Sequence, residues 1–212
     1  MRITRFLSII LHPIFIPIIA FMITLYVAPK IKTEINDLLF CYGIMFLGTI
    51  LMPVLILLLL LKRGTISSIE MSIKKERSMP LLITGFCVLL SYYQLKEISF
   101  FAANSILYAQ IIGVIIIIFS ASIISNFWKI SLHMLGFGGL TGILTALYFI
   151  FNSGLYILII SMFFSVFLGV SRFRENAHNK KQIYMGFCLG LLIELMVVMS
   201  FQYYADNFYF SF

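Results

Sequence analysis

The 212-residue chain predicts an all-α, polytopic transmembrane bundle, and three observations carry that expectation. Hydrophobic residues make up 62% of it and charged residues 11%, against about 45–50% and about 25% in soluble domains. Mean hydropathy is +1.08. The apolar residues come in long uninterrupted blocks with none of the alternation of strands, and only helices or closed barrels satisfy the backbone in lipid. A soluble globular enzyme, a disordered chain and a disulfide-stapled secreted domain are excluded on these grounds.

Taken in order, the apolar runs lie at 6–28, 38–61, 80–95, 104–126, 133–151, 153–170 and 183–204. The first follows a basic lead, Met1 to Arg5, like a secretory leader. It is broken by Pro13 and Pro17 and has no small-residue cleavage site, so it is expected to remain as a span. The run 80–95 is shorter than the roughly 20 residues that cross a bilayer core, so it either stands nearly upright or begins inside the polar segment before it. The runs 133–151 and 153–170 are divided at Asn152-Ser153-Gly154, a turn signal. The expected count is seven spans, or six, in a single membrane domain over 1–212 with no appended soluble domain.

With seven spans, the N-terminus, 62–79, 127–132 and 171–182 share one side. They carry twelve of the fifteen Lys and Arg residues; only Lys30, Lys32 and Lys96 fall on the other. The positive-inside bias places the basic side in the cytoplasm, and the expected location is a bacterial inner membrane. The net charge of +7 therefore reads as topology, and nucleic acid is not an expected partner. Cys41, Cys87 and Cys188 each lie inside an apolar run without metal-ligand spacing, which points to packing.

Few polar groups remain to carry chemistry. His133 and His178 stand at the basic-side ends of spans beside Ser131 and Arg172, with Arg77 in the long loop on that side. A lone histidine at a helix end is ordinarily interfacial. Convergent cations and a hydroxyl instead suit a tetrahedral anion, because phosphate needs several donors. One histidine could attack phosphorus while the other protonates the leaving oxygen.

Ser171-Arg172, five residues, then His178, followed by Gly186 and Gly190, resembles the third signature of the type 2 phosphatidic acid phosphatase superfamily. Ser131-Leu132-His133 resembles the second, and Lys74 to Pro80, with Arg77, loosely resembles the first; together they fall within 62–190. The resemblance implies a lipid phosphatase or phosphotransferase that uses no metal and no cofactor. Its partners would be the bilayer and a membrane lipid bearing a phosphate. It implies His178 as the nucleophile that becomes phosphohistidine and His133 as the acid. Arg77, Ser131, Ser171 and Arg172 would hold phosphate, with Lys74 or Lys75 in a lysine position that the family spacing puts at Glu70.

The sequence departs from that pattern in two places. The family's aspartate four residues after the nucleophile is Gln182 here, and the proline and glycine around the second-signature serine are Ile130 and Leu132. Gln182 can orient the ring but brings no negative charge, unless Glu175 or Glu76 substitutes. The alternative expectation is therefore a non-catalytic or weakly active relative that binds or transports an anionic lipid or phosphorylated ligand. Glu194, deep in the last apolar run, belongs to that alternative as a proton or ion group or a helix-interface pair. His12 could reach the mouth of the site, although an interfacial placement is the plainer reading. Gly136, Gly138, Gly139 and Gly142 would bring the His133 helix close to the helix that carries Gly186 and Gly190.

Overall fold

The computed structural model describes residues 8, 10–28, 34–68, 71 and 73–208. The start of the first apolar run, with Arg2 and Arg5, the lysines Lys30 and Lys32, and the lysine position at Glu70 lie outside the described residues. Among the described residues seven helices of at least twelve residues follow one another: α1 Ile16–Val27, α2 Ile35–Lys62, α3 Ser78–Leu95, α4 Ser105–Phe127, α5 Leu132–Phe151, α6 Leu155–Arg174 and α7 Lys180–Phe208, with a single helical turn at Ser99–Ala102 between α3 and α4. Six of them are long and apolar enough to cross a membrane, α3 when counted with the helical turn at Lys74–Glu76 that precedes it. The chain is an integral membrane protein of the all-α class. The short run 80–95 is thus completed from inside the polar segment before it.

α1 is shorter but runs with the others. A tight turn at Pro13–Phe15 starts it, and His12 caps that turn by accepting the Ile14 N–H at its Nδ1 (3.3 Å). At its far end Val27 packs on Gly154, and the Tyr156 hydroxyl donates to Tyr26 at 3.0 Å. Ser8 and His12 therefore share an end with the α2–α3, α4–α5 and α6–α7 connections, as a count of seven requires. Gly154 (φ 79°) and Asn152 (φ 50°) both take left-handed backbone, which makes the α5–α6 turn tight.

α2 is interrupted by a π-helical turn, Phe46–Leu51. Pro53 supplies the reason: it lacks an N–H and its ring crowds the carbonyl one turn back. The wider turn places Thr49 and Pro53 on the bundle's interior cavity.

The centre of the bundle is the α5–α7 pair. Apolar contact drives helix association weakly in lipid, so close approach depends on small residues. A methyl group added at Gly190 would stand 2.0 Å from the Leu135 carbonyl oxygen, and one at Gly138 would stand 2.1 Å from that of Phe187. Gly142 and Gly186 meet the facing backbone in the same way. The glycines of the two helices thus make a backbone-to-backbone seam, and α5 is largely enclosed. α6, by contrast, turns Ile159, Phe163 and Phe167 outward, as a lipid-facing helix does.

Candidate anion site

His178 ends the α6–α7 connection and is buried at 6% exposure. Its Nδ1 lies 3.0 Å from Gln182 Oε1, which also accepts the Asn179 N–H at 3.2 Å. Asn179 Oδ1 in turn accepts the Gln182 N–H at 3.0 Å, a reciprocal cap on the start of α7. An amide oxygen that receives a backbone N–H can only accept, so His178 donates from Nδ1. That leaves Nε2 with its lone pair. Burial lowers the His178 pKa to about 4. The Gln182 hydrogen bond opposes the shift, and Arg77, Arg172 and Lys129 add to it. The ring is neutral at pH 7.

Neither carboxylate considered as a substitute reaches His178. Glu175 Oε2 accepts from Arg172 at 3.0 Å and from the Ser8 hydroxyl at 3.4 Å. Glu76 Oε2 accepts from the Ser67 backbone and hydroxyl. The partner of the ring is the amide of Gln182.

Arg77 comes from the opposite side of the site and is 5% exposed. Its Nε donates to the Met71 carbonyl (2.7 Å) and one terminal nitrogen to that of Ile130 (3.1 Å). These two bonds fix the guanidinium against the α4–α5 connection and leave other N–H groups of its fork for a ligand. Lys129 lies on that connection. Its pKa is lowered first by burial and then by Arg77 and Arg172, so three cations share one region.

His133, in the first turn of α5, donates from Nε2 to the Ser8 carbonyl at 3.0 Å. Its Nδ1 is therefore the nitrogen left to exchange a proton. The His12 ring stands edge-on to it with centroids 5.2 Å apart. Because His12 Nδ1 accepts the Ile14 N–H, its Nε2 is the donor. Burial and then Arg172 lower its pKa. Arg172 donates to the Ser8 hydroxyl at 3.1 Å.

His12, Arg77, Lys129, His133, Arg172 and His178 all line one cavity of about 1120 Å³. Gln182 stands behind His178. Ser131 and Ser171 lie behind the wall, fully buried. Ser131 Oγ has no hydrogen-bond partner among the described residues, while Ser171 Oγ is 3.4 Å from that of Ser8. Lys74 is not on the wall: its ammonium donates to the Phe127 carbonyl at an exposed position.

Ser8 and Lys129 stand here although no motif marks them, and His12 stands here rather than at the interface. The signal in the sequence was loop parity, which puts all three at the same end as His178. Chemically, the arrangement offers an anion three cations, a neutral N–H donor and an imidazole with a free lone pair. No protein-family model, curated protein or solved structure matches the chain.

Proposed function

We propose that the chain binds a membrane lipid bearing a phosphate and transfers its phosphoryl group to His178. This is the chemistry of a lipid phosphatase or phosphotransferase resembling the type 2 phosphatidic acid phosphatases. The observation that carries the reading is the convergence of Arg77, Lys129, His133, Arg172 and His178 on one cavity. The cations would spread over the phosphoryl oxygens as charge develops.

His178 Nε2 attacks phosphorus, the bond from phosphorus to the lipid oxygen breaks, and His133 relays a proton through Nδ1 from the monoanionic phosphate to that oxygen. Water then attacks the phosphohistidine as the N–P bond breaks, and its proton passes through His133 Nδ1 to the departing phosphate. A transferase would admit an acceptor hydroxyl in place of water. The basic end would face the cytoplasm of a bacterial inner membrane.

Purified protein should release phosphate from phosphatidate or a polyprenyl phosphate without added metal, and His178→Ala should abolish release. Equal inactivity of wild type and His178→Ala across lipid phosphates would remove the enzyme reading. A cysteine at Asn179 should resist an impermeant thiol reagent in intact cells, relative to the parent chain; ready labelling reverses the orientation.

One observation favours a second reading, binding or transport without turnover. Gln182 gives His178 no negative charge to support a cationic state, and in the serine protease triad the corresponding loss of charge costs about 10⁴ in rate.

A further inference from the structure

The cavity continues inward far beyond the cations. Past the mouth its walls are mostly apolar, formed by Ile16 and Ala20 of α1, Leu57 of α2, Val88 of α3, Ile117 of α4 and Ile143 of α5, while the hydroxyls of Thr49 and Thr84 are taken up by backbone carbonyls. Its far end is Glu194. From Lys180 to Glu194 is 14 residues of α7, about 21 Å at 1.5 Å per residue.

The floor is built around this carboxyl. A methyl group added at Gly113 would stand 2.3 Å from Glu194 Oε2, and one at Gly142 would stand 3.0 Å from its Cβ. Two glycines on two helices thus form a notch that the side chain fills. Glu194 is 2% exposed, and neither oxygen has a hydrogen-bond partner among the described residues. No charged group faces it from the helices of the notch. α4 contains no Asp, Glu, Lys, Arg or His, and the only such residue of α5 is His133, at the mouth.

We propose that the cavity takes the hydrocarbon chain of a lipid phosphate lengthwise, with the phosphate at the mouth and the chain end at Glu194. The depth of the cavity then sets the longest chain accommodated. This inference rests on the lipid-phosphate reading above and adds where the tail goes: into the bundle rather than out into the bilayer. Charge complementarity selects the orientation, since the cations that can pair with phosphate stand at the mouth. A cavity of about 1120 Å³ lies just above the range of roughly 300–1,000 Å³ typical of ligand pockets, which suits a long chain. An extended hexadecyl chain matches its depth.

The test is a series of octyl, dodecyl, hexadecyl and eicosyl phosphates, with methyl phosphate as the headgroup alone. Binding to the full chain is measured by calorimetry at detergent concentrations held constant. Affinity should rise with chain length as far as hexadecyl and then level off or fall. Ile118→Trp, which narrows the cavity midway along α4, should move the plateau to dodecyl or shorter. Glu194→Ala opens the floor and should move it toward eicosyl, while Glu194→Gln keeps the wild-type profile.

The opposite signs expected of Ile118→Trp and Glu194→Ala separate a ruler from simple loss of fold. If all variants share one profile, or methyl phosphate binds as tightly as hexadecyl phosphate, the tail lies outside the bundle and the inference fails alone. If no phosphate binds at any chain length, the lipid-phosphate reading fails with it.

Discussion

The two ends of the cavity hold their polar groups in opposite ways. At the mouth almost every functional group is tied to the backbone or to a second side chain: Arg77 to two carbonyls, His133 to a third, His178 to Gln182, and Arg172 to Glu175 and Ser8. At the floor, Glu194 is held by shape alone, in a notch between two glycines. A pinned group has its orientation set before a ligand arrives, which is what electrostatic stabilisation of a reacting anion requires. A group held by shape marks a boundary, and its value lies in its volume.

Substitutions at the mouth should therefore be costly in ways that those at the floor are not. Arg77→Ala is expected to have the largest effect. It removes a donor to phosphate, a loss of about 10²–10³ in turnover where similar donors have been deleted. It also leaves the carbonyls of Met71 and Ile130 without their partner. Phosphate release at saturating lipid measures the first effect and thermal unfolding in detergent the second.

Gly190→Val tests the seam that holds α5, which carries His133, against α7, which begins just after His178. Overpacking of a close contact costs about 1–3 kcal/mol, and here the obstacle is the Leu135 carbonyl rather than a movable side chain. Unfolding should show a loss at the upper end of that range, with phosphate binding weakened alongside it.

Gln182→Asp sharpens the comparison through pH. In the wild type, His178 at about 4 keeps Nε2 unprotonated through the neutral range, so the acid limb that it sets should appear only as pH approaches 4. A carboxylate beside Nδ1 would favour the charged ring and shift this acid limb to higher pH. An unchanged limb in Gln182→Asp would show that Gln182 does not govern His178.

The same depressed value has a consequence for folding. An unfolded histidine titrates near about 6.5, so between that pH and 4 the unfolded chain takes a proton that the folded chain refuses. The contribution of neutral His178 is present above about pH 6.5 and is lost as pH falls toward 4. Denaturation at stepped pH should show that slope, and His178→Ala should make it shallower, His12 keeping its own share.

Glu194→Gln should produce the smallest change. The side chain keeps its shape and no hydrogen bond is lost, so stability should stay within about 1 kcal/mol, the size of a single hydrogen bond. A larger loss would mean that the floor has a partner and resembles the mouth after all.

Much of this architecture was legible in the sequence, because in a membrane the pattern of apolar runs is nearly the topology. Which loops share an end followed from the order of those runs, and the α5–α7 seam from glycines at steps of four. The spacing of Arg172 and His178 also anticipated that both would stand beside one cavity with Arg77 and His133. The details of the site depend on contacts that spacing does not encode. Lys74 is drawn away by the Phe127 carbonyl, and Glu175 is held by Arg172. His12 and Ser8 join the site because Pro13 turns the chain across the top of α1, a contact between residues more than 120 positions apart in the case of Ser8 and His133.

The glycine seam also decides which parts of this protein can open. Two helices joined backbone to backbone have no side-chain layer that could slide or rotate aside, so α5 and α7 form the fixed jamb of the cavity. A lipid arriving sideways from the bilayer must pass between other neighbours. On the lipid-phosphate reading its way in would lie on the side of α1, α2 and α3, where the π-helical turn interrupts the wall.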